Sequence, residues 1–153
     1  MLADRVGSYV HYFTLHGSLR PFGSSAILAS YDPETSEHGL FMIEPSGTSH
    51  AYFACAAGKG RQPARTELEK INPSKSDISC REGIKQCAKI IHTLHDESKD
   101  KPFEMEMSWL CSESKWEHAT VPKALVAEAV EWAKNAIAEE EEEEDDDDAD
   151  MEE

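Results

Sequence analysis

Residues Arg20 to Lys70 read RPFGSSAILASYDPETSEHGLFMIEPSGTSHAYFACAAGKGRQPARTELEK, and this stretch decides the fold. Phe22 to Tyr31 is predicted as a first strand, Gly39 to Glu44 as a second and Thr48 to Ala57 as a third. The polar run Asp32 to His38 separates the first two, and Pro45-Ser46-Gly47 supplies a tight turn between the last two. Apolar runs bounded by turn residues in this way form an antiparallel meander. Ala51, Ala54, Ala56 and Ala57 imply close packing of the third strand against a neighbouring layer. Gly58-Lys59-Gly60 then ends the sheet. Pro63 fits only the first turn of a helix, where a missing N–H costs nothing, and Asn72-Pro73 stops that helix near Ile71.

Upstream, Leu2, Val6, Tyr9, Phe13 and His16 recur at steps of three and four, the spacing of one helical face. This helix opens the chain without a capping signal, so the chain is expected to be cut from something longer. Downstream, Ser79 followed by Glu82 reads as a capping box. Ile84, Cys87, Ala88, Ile91 and then Leu94 or His95 continue as an apolar stripe to about Asp96, and Ser98 to Pro102 is a charged turn. Phe103, Met105, Met107 and Trp109 alternate with Glu104, Glu106 and Ser108, as a half-buried strand does. Trp116 to Thr120 is a short return strand, and Pro122 opens a last helix buried through Leu125, Ala129, Ala133 and Ile137, with Trp132 at its edge.

The formal net charge of −16 conceals two regions. Of the 15 residues from Glu139 to Glu153, 13 are Asp or Glu; the 18 other acidic residues face all 15 Lys and Arg, so residues 1–138 carry only about −3. Residues 1–138 are therefore read as one domain and 139–153 as an acidic tail, disordered beyond about Glu142 because like charges repel. Neither part attracts nucleic-acid phosphates or anionic lipid. No apolar run approaches the ~18 residues of a membrane span. Cys55, Cys80, Cys87 and Cys111 form no C-x-x-C pair and read as reduced thiols of a cytosolic or nuclear protein, with Cys55 in a strand and Cys111 ending one.

Candidate chemistry is thin. Ser98-x-x-Lys101 and Ser112-x-x-Lys115 match the S-x-x-K of acyl enzymes, but each sits in a polar turn without a partner motif. Gly58-Lys59-Gly60-Arg61 before a helix has an anion-binding look, yet lacks Walker or G-x-G-x-x-G spacing; a strand-to-helix crossing with Lys59 and Arg61 in ion pairs explains it better. His92 and His95 lack an acidic or thiol partner at metal-ligand spacing, and His95-Asp96-Glu97 reads as a helix-terminal pairing. No catalytic, cofactor or metal residue is assigned. Glu139, Glu144 and Asp148 stand for the acidic tail as a surface for basic partners.

Taken together, the segments resemble an α-type subunit of the eukaryotic 20S proteasome. The match is carried by Leu2-Ala3-Asp4-Arg5-Val6 with Tyr9-Val10-His11, by Arg20-Pro21-Phe22-Gly23 through Ser30-Tyr31, and by Met42-Ile43 and Pro45-Ser46-Gly47 running on to Gly58-Lys59, Arg61-Gln62 and Thr66-Glu67. It continues in His95-Asp96-Glu97, Lys99-Asp100-Lys101, Phe103-Glu104, Glu106, Ser108-Trp109 and Val121-Pro122-Lys123. The resemblance implies an α+β fold, the αββα sandwich of Ntn-hydrolase-like proteins, here incomplete because the family's N-terminal strands and first long helix have no counterpart. It implies a non-catalytic wall subunit in ubiquitin-dependent degradation, in the cytoplasm and nucleus. Its partners would be other α and β subunits and proteasome activators, with no cofactor, nucleic acid or membrane. The family's peptidase residue is an N-terminal threonine of certain β subunits, and residue 1 here is Met. Two rival readings are a truncated product impaired in assembly, whose open sheet faces bind hydrophobic dye, and an interaction module working through its acidic tail.

Overall fold

A computed structural model describes residues 2–76, 78–95 and 101–150, the side chains at 141 and 143–150 excepted. The chain divides into two compact units, Met1–Ser76 and Asp77–Glu153. Both mix helix and strand, as expected of an α+β protein.

In the first unit, helix α1 (Leu2–Leu15) precedes strands β1 (Ala26–Asp32), β2 (Glu37–Ile43) and β3 (Ser49–Ala51), and helix α2 (Arg61–Ile71) follows. The strands form one antiparallel sheet in the order β1-β2-β3, with Ala26 opposite Ile43 and Phe41 opposite Ala51. The antiparallel order is the one the sequence predicts, but β1 begins at Ala26 rather than Phe22, and β2 spans Glu37–Ile43 rather than Gly39 to Glu44. Its turn is a three-residue loop: Gly47 N–H donates to Glu44 O at 2.8 Å, Glu44 N–H donates to Thr48 O at 3.0 Å, and Gly47 takes φ +86°. A side chain would strain that left-handed backbone, which is why glycine holds the position.

The third strand is much shorter than Thr48 to Ala57. After Ala51 a single further rung, Tyr52 N–H to Leu40 O at 2.8 Å, closes the ladder, and Cys55 lies beyond it. The alanines that follow offer little side chain for cross-strand pairing, so nothing holds them in register. Helix α2 stops as expected, with Asn72 in the left-handed conformation at φ 53° and its N–H on Glu69 O at 3.1 Å.

The buried face of α1 differs from the predicted stripe. Ala3, Gly7 and Val10 are buried, whereas Leu2 is 67% and Tyr9 62% exposed. The cause is a backbone approach. A Cβ on Gly7 would stand 2.6 Å from Gly47 O, and a Cβ on Gly47 would stand 2.5 Å from the His11 Cβ. Helix and turn meet through two glycines, locked by a 2.9 Å hydrogen bond between His11 Nδ1 and Ser46 O. A face of small residues gains more from this contact than bulky residues would, and the large side chains are turned outward.

The second unit contains α3 (Cys80–Thr93), β4 (Ser108–Trp109), a short 3-10 turn at Ser112–Ser114, β5 (Ala119–Thr120) and α4 (Lys123–Asp150). Ser79 caps α3, its hydroxyl accepting from Glu82 N–H at 3.2 Å, while the Glu82 carboxylate accepts from Gln86 Nε2 at 2.7 Å. Ile84, Ala88, Val121, Ala129 and Ala133 form the core, and Met105, Met107, Trp109, Leu125, Val126 and Trp132 pack against it. Ala88 and Ala133 are wholly buried, so the two helices pack at alanine contacts. Ile90 is buried where the stripe placed Ile91, which is 43% exposed.

The strand expected over Phe103 to Trp109 pairs only at Ser108 and Trp109, against Thr120 and Ala119, with Val121 N–H on Met107 O at 3.0 Å. The return strand is correspondingly Ala119–Thr120 rather than Trp116 to Thr120. Alternation read the burial of Met105 and Met107 but not the extent of pairing, because one face can pack on helices without a ladder beside it. Helix α4 continues to Asp150, past Glu142, where the sequence reading ended order. Glutamate is a good helix former, and each added residue closes a local hydrogen bond, which opposes the like-charge repulsion.

Candidate interaction surfaces

Among the described residues, no candidate motif assembles into a reaction centre. In the Ser112-x-x-Lys115 segment, Lys115 is in left-handed backbone at φ 55°. The neighbouring Ser114 hydroxyl accepts from Cys111 N–H and donates to Cys111 O, both at 3.0 Å. This is a capped turn. Ser98 lies outside the described residues, as do Lys99, Asp100 and the Asp96 and Glu97 of the helix-terminal pairing. His92 and His95 stack against the same ring, Phe103, with centroids 5.2 and 4.7 Å away. Their spacing of three serves an aromatic contact. Among the described residues no group of three His, Cys, Asp or Glu is placed to hold a metal ion.

Gly58 to Arg61 ends the irregular segment that leads from β3 to α2, so the predicted direct passage from strand to helix is absent. Gly58 takes φ +103°, Arg61 N–H reaches Gly58 O at 3.4 Å, and Gly60 precedes α2 without a side-chain cap. Beside it lies an open hollow of about 590 Å³, whose walls include Met42, Glu44, Arg61 and Arg65.

The surfaces are more informative. On α1, Leu2, Tyr9, Tyr12 and Leu15 are all more than half exposed. Tyr9, Phe13 and Phe22 form a ring cluster, with centroids of 5.1 Å from Tyr9 to Phe13 and 4.8 Å from Phe13 to Phe22. In the sheet, Ile27 is exposed although its cross-strand partner Met42 is buried. Scattered exposed apolar residues are normal on a protein surface; large ones gathered along one helix mark a contact face.

The acidic end is rooted in α4. Glu139 is exposed on that helix, and Glu144 and Asp148 continue its backbone. Helix α4 is tied back to α3 along its length: Lys89 forms an ion pair with Glu140, Lys85 lies 3.9 Å from Glu128, and the Lys85 ammonium sits 5.8 Å from the Trp132 ring centroid. No local motif signals these pairs, since they join residues far apart in the chain. Arg81 makes a two-pronged bond to Glu113, Nε to Oε1 at 2.9 Å and Nη2 to Oε2 at 2.7 Å. That bond lowers the Glu113 carboxyl below its ordinary range.

The residues of this meander and its flanking helices belong to a known class. A family model described as "Proteasome subunit" matches residues 2–110, and the chain belongs to the proteasome subunit family. Among its relatives is "Proteasome subunit alpha type-3" of Arabidopsis thaliana, 54% identical over 138 residues, covering 90% of this chain and 54% of that protein. The protein of the same name from Spinacia oleracea is also 54% identical over 138 residues, with the same coverage. "Probable proteasome subunit alpha type-7" of Saccharomyces cerevisiae is 44% identical over 137 residues, covering 88% of this chain and 47% of that protein. The chain thus spans about half the length of the curated relatives it matches.

Proposed function

We propose that the chain is a non-catalytic structural subunit, or part of one, in the α ring of the 20S proteasome, serving ubiquitin-dependent protein degradation. Its parent fold would be the αββα sandwich, to which it contributes the β1-β2-β3 sheet, the β4-β5 hairpin and the helices. Neighbouring α and β subunits are the partners, proteasome activators are further ones, and cytoplasm and nucleus are the compartments.

The observation that carries this reading is the similarity to proteasome alpha subunits along nine-tenths of the chain. The outward apolar side of α1 and the open sheet face at Ile27 support it. Covering apolar surface is worth about 25 cal/mol per Å², so faces of this kind favour assembly over the free chain. The α-type names of the relatives support a silent subunit rather than a peptidase.

The test is to express the tagged chain in eukaryotic cells and follow its sedimentation. The chain should run with α and β subunits and with peptidase activity, and should show no turnover when purified alone. Removing residues 139–153 should leave this co-sedimentation unchanged. A chain that stays out of the particle, or that cleaves peptides unaided, would refute the proposal. Capture of basic proteins that is salt-sensitive and lost with the tail would instead make the acidic end the working part. A fluorescent fusion reads the compartment.

A further inference from the structure

The small sheet of the second unit has an open edge ahead of β4. From Glu104 to Trp109 the residues alternate between exposed and half-buried, the period of extended backbone. Met105, Met107 and Trp109 pack on the core, while Glu104, Glu106 and Ser108 are exposed. Only the end of this run has a strand beside it: Ser108 and Trp109 pair with Thr120 and Ala119, and Met107 O accepts from Val121 N–H. Among the described residues, Phe103, Glu104, Met105 and Glu106 make no backbone–backbone hydrogen bond. Beside them lies an open hollow of about 680 Å³, with Met105, Met107, Val121 and Val126 as its large apolar groups.

We propose that this edge docks an extended peptide in which basic and apolar residues alternate, and that the peptide joins the β4–β5 sheet as a further strand. Main-chain pairing supplies the common part of the interaction, because unpaired N–H and C=O groups along an edge are a template for another strand. Side chains supply the choice of partner. Residues on one face of neighbouring strands meet in cross-strand contacts. The face of Glu104 and Glu106 therefore takes Lys or Arg. The face of Met105 and Met107 takes Val, Ile or Leu, which finish covering side chains that the core leaves half-buried. A period of two on the edge demands the same period in the partner.

Charge selects this occupant over the others. Glu104 and Glu106 form no ion pair among the described residues. They face one cation, Lys123, on the walls of the hollow, so its charged groups leave an excess of one negative charge. A second copy paired antiparallel through the same edge would set Glu104 against Glu106, and like charges directly opposite each other destabilise a strand pair. The chain's own acidic run from Glu139 to Glu153 is a poor occupant on the same ground. Binding at this edge requires no other subunit, so it stands apart from the α-ring reading.

The experiment titrates the full, isotope-labelled chain with a short synthetic peptide of alternating Lys and Val, and reads amide exchange by NMR. Saturable binding is expected, with exchange at Phe103 to Met107 slowed about tenfold or more and no change in α1 or β1. A peptide of the same composition with Lys and Val in separate blocks should bind about tenfold more weakly or worse. Methylating alternate backbone nitrogens on the pairing side should abolish binding, since it removes donors and leaves every side chain in place. Glu104→Lys with Glu106→Lys should reverse the preference, so that a peptide of alternating Glu and Val binds instead. Removing residues 139–153 should leave the affinity unchanged. Unslowed exchange at Phe103 to Met107, equal binding of the block or methylated peptide, loss of binding with the tail, or a dimer formed through this edge without peptide would each overturn the proposal. The peptide controls use the unsubstituted chain, so they decide the matter even if the double variant does not fold.

Discussion

The two units of this chain bury their helices by different means. In the first, α1 meets the β2–β3 turn through Gly7 and Gly47, and its large side chains face out. In the second, α3 and α4 meet at Ala88, Ala129 and Ala133, the larger apolar groups close around them, and ion pairs stitch the rim. The first spends its glycines on closeness and keeps its aromatic residues available. The second turns most of its large apolar residues inward and leaves Ile91, Phe103 and Trp116 part-exposed. A face left open beside a rigid backbone contact suits assembly, and a closed helix pair suits internal support.

Substitutions can break that contrast. The largest effect is expected at Gly47→Ala, which adds a Cβ to left-handed backbone and drives it against His11. A loss of about 3 kcal/mol is expected, read as faster amide exchange at Met42 and Ile43 and unchanged exchange in α3. Ala88→Leu overpacks the second unit and should cost about 2 kcal/mol, with the exchange pattern reversed. Parallel losses in both units after either change would show that the two are not separate cooperative regions.

Smaller effects sharpen the comparison. Lys89→Ala removes a partly exposed ion pair and should cost about 0.5 kcal/mol, fading with added salt. Leu2→Ser with Leu15→Ser should reduce binding of a hydrophobic dye while moving stability by no more than about 0.5 kcal/mol, since neither side chain is buried. Smallest of all is the Arg81–Glu113 contribution. The folded carboxyl is lowered, so whatever stability it supplies is fully present above the ordinary carboxylate range and is lost as pH falls through the lowered value. An acid titration of Arg81→Ala beside the unsubstituted chain should show the two curves converging in that window, and a gap that widens on acidification would contradict the assignment.

Legibility followed the locality of the cause. The Pro45-Ser46-Gly47 turn, the Ser79 cap and the stop at Asn72 were readable because each is decided within a few residues. Met105 and Met107 follow the predicted alternation in burial, whereas Phe103, in the same run, is 40% exposed. The buried face of α1 departs from its hydrophobic stripe because the small residues Ala3 and Gly7 carry the contact. The one available signal was that Gly7 and Gly47 are glycines, and nothing local says they meet. Strand lengths failed for the same reason, since a ladder needs a partner and β3 and β4 run out of one.

The order of residues by itself determined the element sequence, the antiparallel meander, the split between a nearly neutral body and an acidic end, and the family resemblance. Only the tertiary structure decided which side of α1 is buried, how far β3 and β4 pair, that Lys89 reaches Glu140, and that Arg81 reaches Glu113. Turns and caps are set by backbone sterics between near neighbours, whereas contacts across 32 or 51 positions, such as Arg81 with Glu113 or Lys89 with Glu140, exist only once packing has chosen which surfaces approach.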